Sequence, residues 1–331
     1  MQSVKTVQAP SSRVVPGYAA VISAPRHIDL RRIEFRAPAA GELRVKIEGC
    51  GVCASNLELW QGKPWFEYPV EPGAPGHEAW GRIDAIGKDV ADLAVGDRVA
   101  MLSSHAFAEY DFARRAEVVR LPDDGEAFPA EPLGCAINIF KRANIRRGET
   151  VAIVGIGFLG TLVTQLAANA GARVLTLSHR RSSLKLAREF GATATIASHD
   201  RQQAIKRVME LTEGHGCECV IEAAGKQESL DLASELTSER GRLVIAGYHQ
   251  DGPRQVNMQL WNWRGLDVIN AHERDPQVYV AGMRDAIAAV QAGTMNPRPL
   301  YTHTFKLAEL PQAFEAIGRS PEGFVKALVT L

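Results

Sequence analysis

Thr150-Val-Ala-Ile-Val-Gly155-Ile-Gly157-Phe-Leu-Gly160 is a short apolar run that breaks into three glycines and leads into a stretch of helical period, Leu162, Val163, Leu166 and Ala170. The pattern predicts strand, tight turn and helix. In such a unit the first Gly permits the turn, the second lets a pyrophosphate approach the backbone, and the third lets the helix pack on the strand. Phe158 and Leu159 open the helix, whose first N–H groups and positive dipole end favour phosphate. Gly155, Gly157, Phe158, Leu159 and Gly160 are therefore candidate dinucleotide-binding residues. The competing reading is an ordinary glycine-rich turn.

Working outward, the texture on the C-terminal side supports the first reading. Apolar runs at Val151–Val154, Arg173–Ser178, Thr193–Ile196, Cys219–Glu222, Arg242–Ala246 and Asp267–Ile269 alternate with helix-like segments such as Ser183–Phe190 and Gln202–Leu211. Six strands with crossover helices predict an α/β fold with a doubly wound parallel sheet. On the N-terminal side, Tyr18–Ile22, Leu43–Ile47 and Gly81–Ile86 are short strand-like runs set off by Gly, Pro and Asp, which predicts a compact antiparallel barrel or sandwich. After Ala271 a helix (Val278–Ala292), a strand (Tyr301–Phe305), a helix (Leu307–Ile317) and a strand (Val325–Leu331) break the alternation and are expected to return to the first domain. The expected domains are 1–137 with 272–331, and 138–271.

Composition narrows the function classes. With 331 residues, 46% of them hydrophobic, the chain can bury two cores. Lys plus Arg equals Asp plus Glu at 38 each, so no overall field attracts nucleic acid or an anionic membrane, and small molecules are the expected partners. No apolar run has the length of a bilayer span and the N-terminus shows no signal-type apolar region, so a cytoplasmic protein is expected. The five cysteines are Cys50, Cys53, Cys135, Cys217 and Cys219, an odd number that suits reactive or metal-binding thiols better than a disulfide framework. Cys217 and Cys219 lie in a strand-like run and are read as packing residues in preference to metal ligands.

The strand after the glycine turn bears on the cofactor. A site for NAD ends its second strand with Asp or Glu about twenty residues after the glycines, to hold the ribose 2′-hydroxyl. Here Arg173-Val-Leu-Thr-Leu-Ser178 is followed by His179, Arg180 and Arg181. The carboxylate is missing and guanidinium groups, which can fork onto a phosphate, stand beside Ser178. NADP(H) is expected in preference to NAD(H). The alternative is a solvated helix start capped by Ser182 or Ser183.

Cys53, in Gly51-Val-Cys53-Ala-Ser55-Asn56, and His77, in Pro75-Gly76-His77-Glu78, could together hold zinc, but a catalytic site needs a third protein ligand. These motifs, followed by Gly81-Arg-Ile-Asp-Ala-Ile-Gly87, Val95-Gly-Asp-Arg-Val99, Phe107-Ala-Glu-Tyr110, Glu131-Pro-Leu133 and the glycine turn, make the chain resemble the zinc-dependent medium-chain alcohol and polyol dehydrogenases. The likeness covers nearly all of it beyond a short N-terminal extension.

The resemblance implies a GroES-like barrel domain carrying one catalytic zinc, a Rossmann domain carrying the cofactor, a substrate cleft between them, and a homo-oligomer, dimer or tetramer. Cys53 and His77 become zinc ligands. The third is Glu131 or Cys135, and an ungapped register through Lys141–Gly148 puts Glu131 in the ligand slot, with Cys135 one helical turn later. Glu78 lies behind the metal, as a ligand in place of water or as an electrostatic neighbour. Ser55 takes the proton of the substrate alcohol, or is a plain turn hydroxyl; Glu58 stands where some relatives place a relay histidine. Asn56 replaces the family's usual Asp. Lys326 resembles a C-terminal basic residue that reaches the cofactor. The second, structural zinc of many relatives is not expected, since no cysteine lies between Cys53 and Cys135. Trp60, Trp65, Phe66 and Tyr68 line a substrate pocket or pack a loop. The expected reaction moves a hydride between NADP(H) and a secondary alcohol or polyol, or its carbonyl form. Competing readings are a zinc-free quinone or enone reductase, which generally lacks the Cys and Gly-His-Glu motifs, and a dinucleotide-binding protein without turnover.

Overall fold

The computed structural model describes residues 13–331; the part of the N-terminal reading that falls on residues 1–12 lies outside them. The strands are β1 (Val15–Ala24), β2 (His27–Phe35), β3 (Glu42–Val52), β4 (Glu78–Ile86), β5 (Arg98–Leu102), β6 (Tyr110–Arg114), β7 (Val118–Arg120), β8 (Thr150–Val154), β9 (Arg173–Ser178), β10 (Ala194–Ala197), β11 (Cys217–Glu222), β12 (Thr237–Ile245), β13 (Asp267–Asn270), β14 (Tyr301–Lys306) and β15 (Lys326–Thr330). The helices are α1 (Leu57–Gln61), α2 (Ala130–Ala143), α3 (Phe158–Asn169), α4 (Arg181–Glu189), α5 (Arg201–Leu211), α6 (Gln227–Leu236), α7 (Met258–Arg264), α8 (Pro276–Gln291) and α9 (Leu310–Arg319). No helix among the described residues is long and apolar enough to cross a membrane.

The chain divides into two compact units. One holds the residues as far as Glu131, with His303–Ser320 and Lys326–Leu331; the other holds Pro132–Thr302 and Pro321–Val325. The expected boundaries were 137 and 272. Residues 272–302 stay with the second unit because α8 is locked to α2: a Cβ on Gly134 would lie 2.8 Å from the Met283 nitrogen, and one on Gly282 would lie 2.7 Å from Asn138 Oδ1. Beyond α8, Asn169 Nδ2 donates to the Thr294 carbonyl at 2.7 Å and the Asn296 N–H to Gln165 Oε1 at 2.8 Å, tying this stretch to α3.

In the first unit, antiparallel pairing builds a seven-stranded sheet whose path runs β14-β15-β3-β4-β5-β7, with β6 on β3 and a separate β1–β2 pair. Strand β3 is the hub. It pairs with β4 from Leu43 to Gly51, with β6 over its first half and with β15 over its second. Register shifts between Arg44 and Val45 and between Ile47 and Gly49 bend it, as bulges do in closing sheets.

In the second unit the parallel sheet runs β10-β9-β8-β11-β12-β13. Its order reverses direction beside β8, which places ligands at the carboxyl ends of β8 and β11. The central strands are apolar throughout because helices cover both faces. Ile153, Leu175, Leu177, Val220 and Leu243 are all 0% exposed, and burying each such side chain contributes about 1.5–3 kcal/mol.

Candidate metal and dinucleotide sites

In the first unit the ends of β3 and the start of β4 meet. Cys53 follows β3, His77 immediately precedes β4, and Glu78 is its first residue. The segment before His77 is pinned by backbone hydrogen bonds from Val70 to Ile22, from Gly73 to Ala20, and from Ala106 to Gly76. Ligand atoms of Cys53, His77 and Glu78 all lie within 4.8 Å of one another. His77 Nδ1 is 2.9 Å from the Pro75 carbonyl; an N–H donated there leaves Nε2 as the ring's metal-facing nitrogen. Asn56, buried, donates Nδ2 to the same carbonyl at 3.4 Å and accepts from Ser55 Oγ at 3.4 Å.

The electrostatics are those of a cation site. Burial disfavours charge on both Cys53 and His77, yet their mutual hydrogen bond and attraction prevail. The thiol is held below its ordinary value, and the imidazole is pushed up to about 10, with the Glu131 and Glu78 charges adding to the effect. Glu78 is 0% exposed. One of its oxygens accepts from the Lys326 ammonium, while Oε2 is buried without a hydrogen-bond partner. Sulfur, imidazole nitrogen and carboxylate oxygen are zinc's normal donors, and an orphaned buried oxygen beside them is a place for a metal. The residues fit the ion.

Glu131 lies in the first turn of α2, where a carboxylate complements the helix dipole. Its charge is felt by both His77 and Lys326. Cys135 lies one turn later on α2, on the other side of the unit boundary. Lys326 lies buried at the head of β15, against the carboxylate on the first residue of β4. The physical reason is counter-charge: a carboxylate with no exposure needs one, and β15 runs beside β3. Glu58 is buried on α1.

The aromatic residues divide. Trp60 is a core residue, stacked on Phe314 of α9 at 5.2 Å, with Nε1 donating to Glu315 at 3.1 Å. The Tyr68 hydroxyl donates to the Leu59 carbonyl. Trp65, 55% exposed, leans on Phe66.

In the second unit the three glycines behave as their spacing predicts. Gly155 has φ +100° and a Cβ there would strike Ala224 at 2.8 Å; one on Gly160 would lie 2.0 Å from the Gly155 carbonyl oxygen. Beside Gly157 there is nothing within 4 Å, so backbone is open to a phosphate where α3 begins. A turn of this geometry can cradle a pyrophosphate. Phe158 is buried and stacks on Tyr301 at 6.1 Å, while Leu159 is half-buried. Ser178 Oγ accepts from the Arg180 N–H at 3.2 Å. His179 is exposed, its ring 5.2 Å from that of His199. Arg180, not Ser182 or Ser183, precedes α4 as its cap residue. It is half-buried, which disfavours its charge, and the Glu322 carboxylate partly offsets this.

Sequence reasoning missed a network at the carboxyl end of β11. Glu222 Oε1 accepts from Ala224 N–H (2.8 Å), Gly225 N–H (2.7 Å) and Ser229 Oγ (2.7 Å). Its Oε2 lies 2.9 Å from His249 Nε2, and Arg254 Nε donates to His249 Nδ1 at 2.8 Å. With Nδ1 accepting, the His249 proton sits on Nε2 and is donated to Glu222. The network fixes the loops after β11 and β12. An acidic residue closing an apolar strand, ahead of Ala-Ala-Gly, was the available signal.

Both parts of the chain resemble known proteins. The alcohol dehydrogenase GroES-like domain matches residues 39–123 and the zinc-binding dehydrogenase domain residues 159–288. The chain belongs to the zinc-type medium-chain dehydrogenase family and is an alcohol dehydrogenase-like oxidoreductase. It is 28% identical to sorbitol dehydrogenase of Halalkalibacterium halodurans, over 88% of this chain and 92% of that protein. It is 27% identical to erythritol/L-threitol dehydrogenase of Mycolicibacterium smegmatis, over 94% and 97%. Among solved structures, an NADP-bound zinc-binding dehydrogenase-type protein of Sinorhizobium meliloti 1021 superposes with a TM-score of 0.82 at 26% identity, covering 96% of this chain and 100% of that one.

Proposed function

We propose that this protein is a zinc-dependent, NADP(H)-preferring dehydrogenase that interconverts a secondary alcohol or polyol with its carbonyl compound. The observation that carries the reading is the convergence of Cys53, His77 and Glu78 within 4.8 Å around a buried, unpartnered carboxylate oxygen. The polyol class is supported by the sorbitol and erythritol relatives. The preference for NADP(H) is supported by Ser178 and Arg180 in place of a carboxylate and by the cofactor of the Sinorhizobium protein.

Cys53, His77 and Glu131 hold the zinc in this reading, with Glu78 behind them as a further oxygen donor. Gly155, Gly157 and Gly160 seat the pyrophosphate at the start of α3, and Arg180 receives the 2′-phosphate. When bound, the zinc supplies a Lewis acid for the substrate oxygen and the nicotinamide donates or accepts the hydride. Ser55, half-buried and turned toward Asn56, takes the alcohol proton and passes it outward. Lys326 keeps the carboxylate of Glu78 anchored so that its second oxygen stays in place. The edge strand β13, with Val268 40% exposed, and the 86% exposed Trp263 of α7 suit a homo-oligomer.

Metal analysis tests the reading. Purified protein is expected to hold one zinc per chain, retained in Cys135→Ala and lost in Cys53→Ala and Glu131→Ala, with polyol oxidation followed by NADPH absorbance lost in step. A zinc-free protein that still oxidises polyols would refute it.

A further inference from the structure

Residues 321–325 fold back onto the start of α4. The Glu322 carboxylate accepts from the Ser182 N–H at 2.6 Å, the Gly323 N–H donates to Ser182 Oγ at 3.2 Å, and Arg180 Nη1 donates to the Phe324 carbonyl at 3.0 Å. These are polar contacts, and Glu322 is itself exposed, so no core depends on it. The place they occupy is defined independently of α4. Ser178 ends β9, the strand that follows the glycine turn and α3, and a strand end at this point faces the 2′ position of the adenosine ribose. A carboxylate is what an NAD site puts there. Strand β9 has none, but the fold delivers one from a distant part of the chain.

We propose that Glu322 is the specificity-determining residue of the dinucleotide site: an internal anion on the α4 start and beside Arg180, which a 2′-phosphate must displace and a 2′-hydroxyl leaves in place. The proposal rests on the reading of Arg180 as the phosphate-binding group. A 2′-phosphate that takes the Ser182 N–H displaces the Glu322 carboxylate from it, and one that takes Arg180 Nη1 displaces the Phe324 carbonyl, so binding of the phosphorylated dinucleotide releases the strap formed by residues 321–325. Glu322 thus moderates a preference that Arg180 creates.

The test is a fluorescence titration of NADPH and of NADH against the wild type, Glu322→Gln, Arg180→Ala and the double variant. Removing a unit negative charge a few ångströms from the phosphate should tighten NADPH about tenfold more than NADH. An unchanged or lowered NADPH-to-NADH affinity ratio in E322Q overturns the proposal. If R180A lowers the ratio while E322Q leaves it alone, only the role of Glu322 fails; if R180A changes nothing, the phosphate reading fails and takes the proposal with it. A wild-type measurement covers variants that do not fold. Hydrogen exchange across residues 320–325 should rise with 2′,5′-ADP relative to 5′-AMP, and equal exchange with the two nucleotides overturns the proposal as well.

Discussion

At Gly51 the absence of a side chain is set by Glu78, its partner across β3 and β4. A Cβ on residue 51 would lie 1.8 Å from Glu78 Oε2, the oxygen that has no hydrogen-bond partner. Gly51 therefore leaves that carboxylate in place two residues before Cys53. The substitution Gly51→Ala has to push Glu78 off its position or bend β3, and overpacking of this kind costs about 1–3 kcal/mol. Gly51→Ala is expected to lower the thermal midpoint of the metal-free protein and to reduce bound zinc well below one per chain. A variant with the wild-type midpoint and full zinc would show that the contact carries no weight. The residues at the site differ in how they could be found. Cys53 and His77 stood out because their short motifs combine metal-ligating chemistry with turn-forming glycines. The Lys326–Glu78 pair and the Glu322 contact join residues far apart in sequence, and neither has a local pattern; only pairing between β15 and β3, and the fold of residues 321–325, brings them together.

Among elements, the central strands β8, β9 and β11 are legible because covered parallel strands are runs of apolar residues, and the Gly and charged segments between them mark their ends. Strand β12 begins earlier than its apolar run suggests, since Ser238, Glu239 and Arg240 lie outside the core and carry no hydrophobic signal. Strand β2 was passed over for the same reason: His-Ile-Asp-Leu-Arg-Arg-Ile-Glu-Phe is mostly exposed or half-buried, and β1 alone pairs with it. Strand β11 bears out the packing reading of its two cysteines, both 0% exposed. Burial pushes each of their thiols up from 9.0 to about 12. The folded chain therefore binds more protons than the unfolded one between these values, and stability falls as pH rises through that window while staying flat in this respect below it. The urea midpoint is expected to drop between pH 8 and 10.5 by the equivalent of about 1–2 kcal/mol per thiol. The Cys217→Ala/Cys219→Ala variant should lose that part of the decline; an identical pH profile in the variant would assign the decline to other groups.

For the molecule as a whole, the division of labour follows the division of contacts. The proposed zinc ligands Cys53, His77 and Glu131, with Glu78 and Lys326, belong to one unit, and the glycine turn, Ser178, Arg180 and Glu322 belong to the other. Each set is held by hydrogen bonds and packing within its own unit: Glu78 by Lys326 in the first, Arg180 and Ser182 by Phe324 and Glu322 in the second. A metal that binds only the folded chain stabilises the unit that holds it, by about 4 kcal/mol when free metal exceeds its Kd a thousandfold. The cradle at Gly157 belongs to the other unit. Dialysis against a chelator is therefore expected to abolish polyol oxidation while leaving the Kd for NADPH, measured by quenching of protein fluorescence, within about threefold of its starting value, a shift of under 1 kcal/mol. Zinc added back should restore turnover without altering that Kd. If metal removal instead weakened NADPH more than tenfold, the two sites would be coupled by more than 1.4 kcal/mol, and the assignment of cofactor binding to one unit and metal binding to the other would have to be given up.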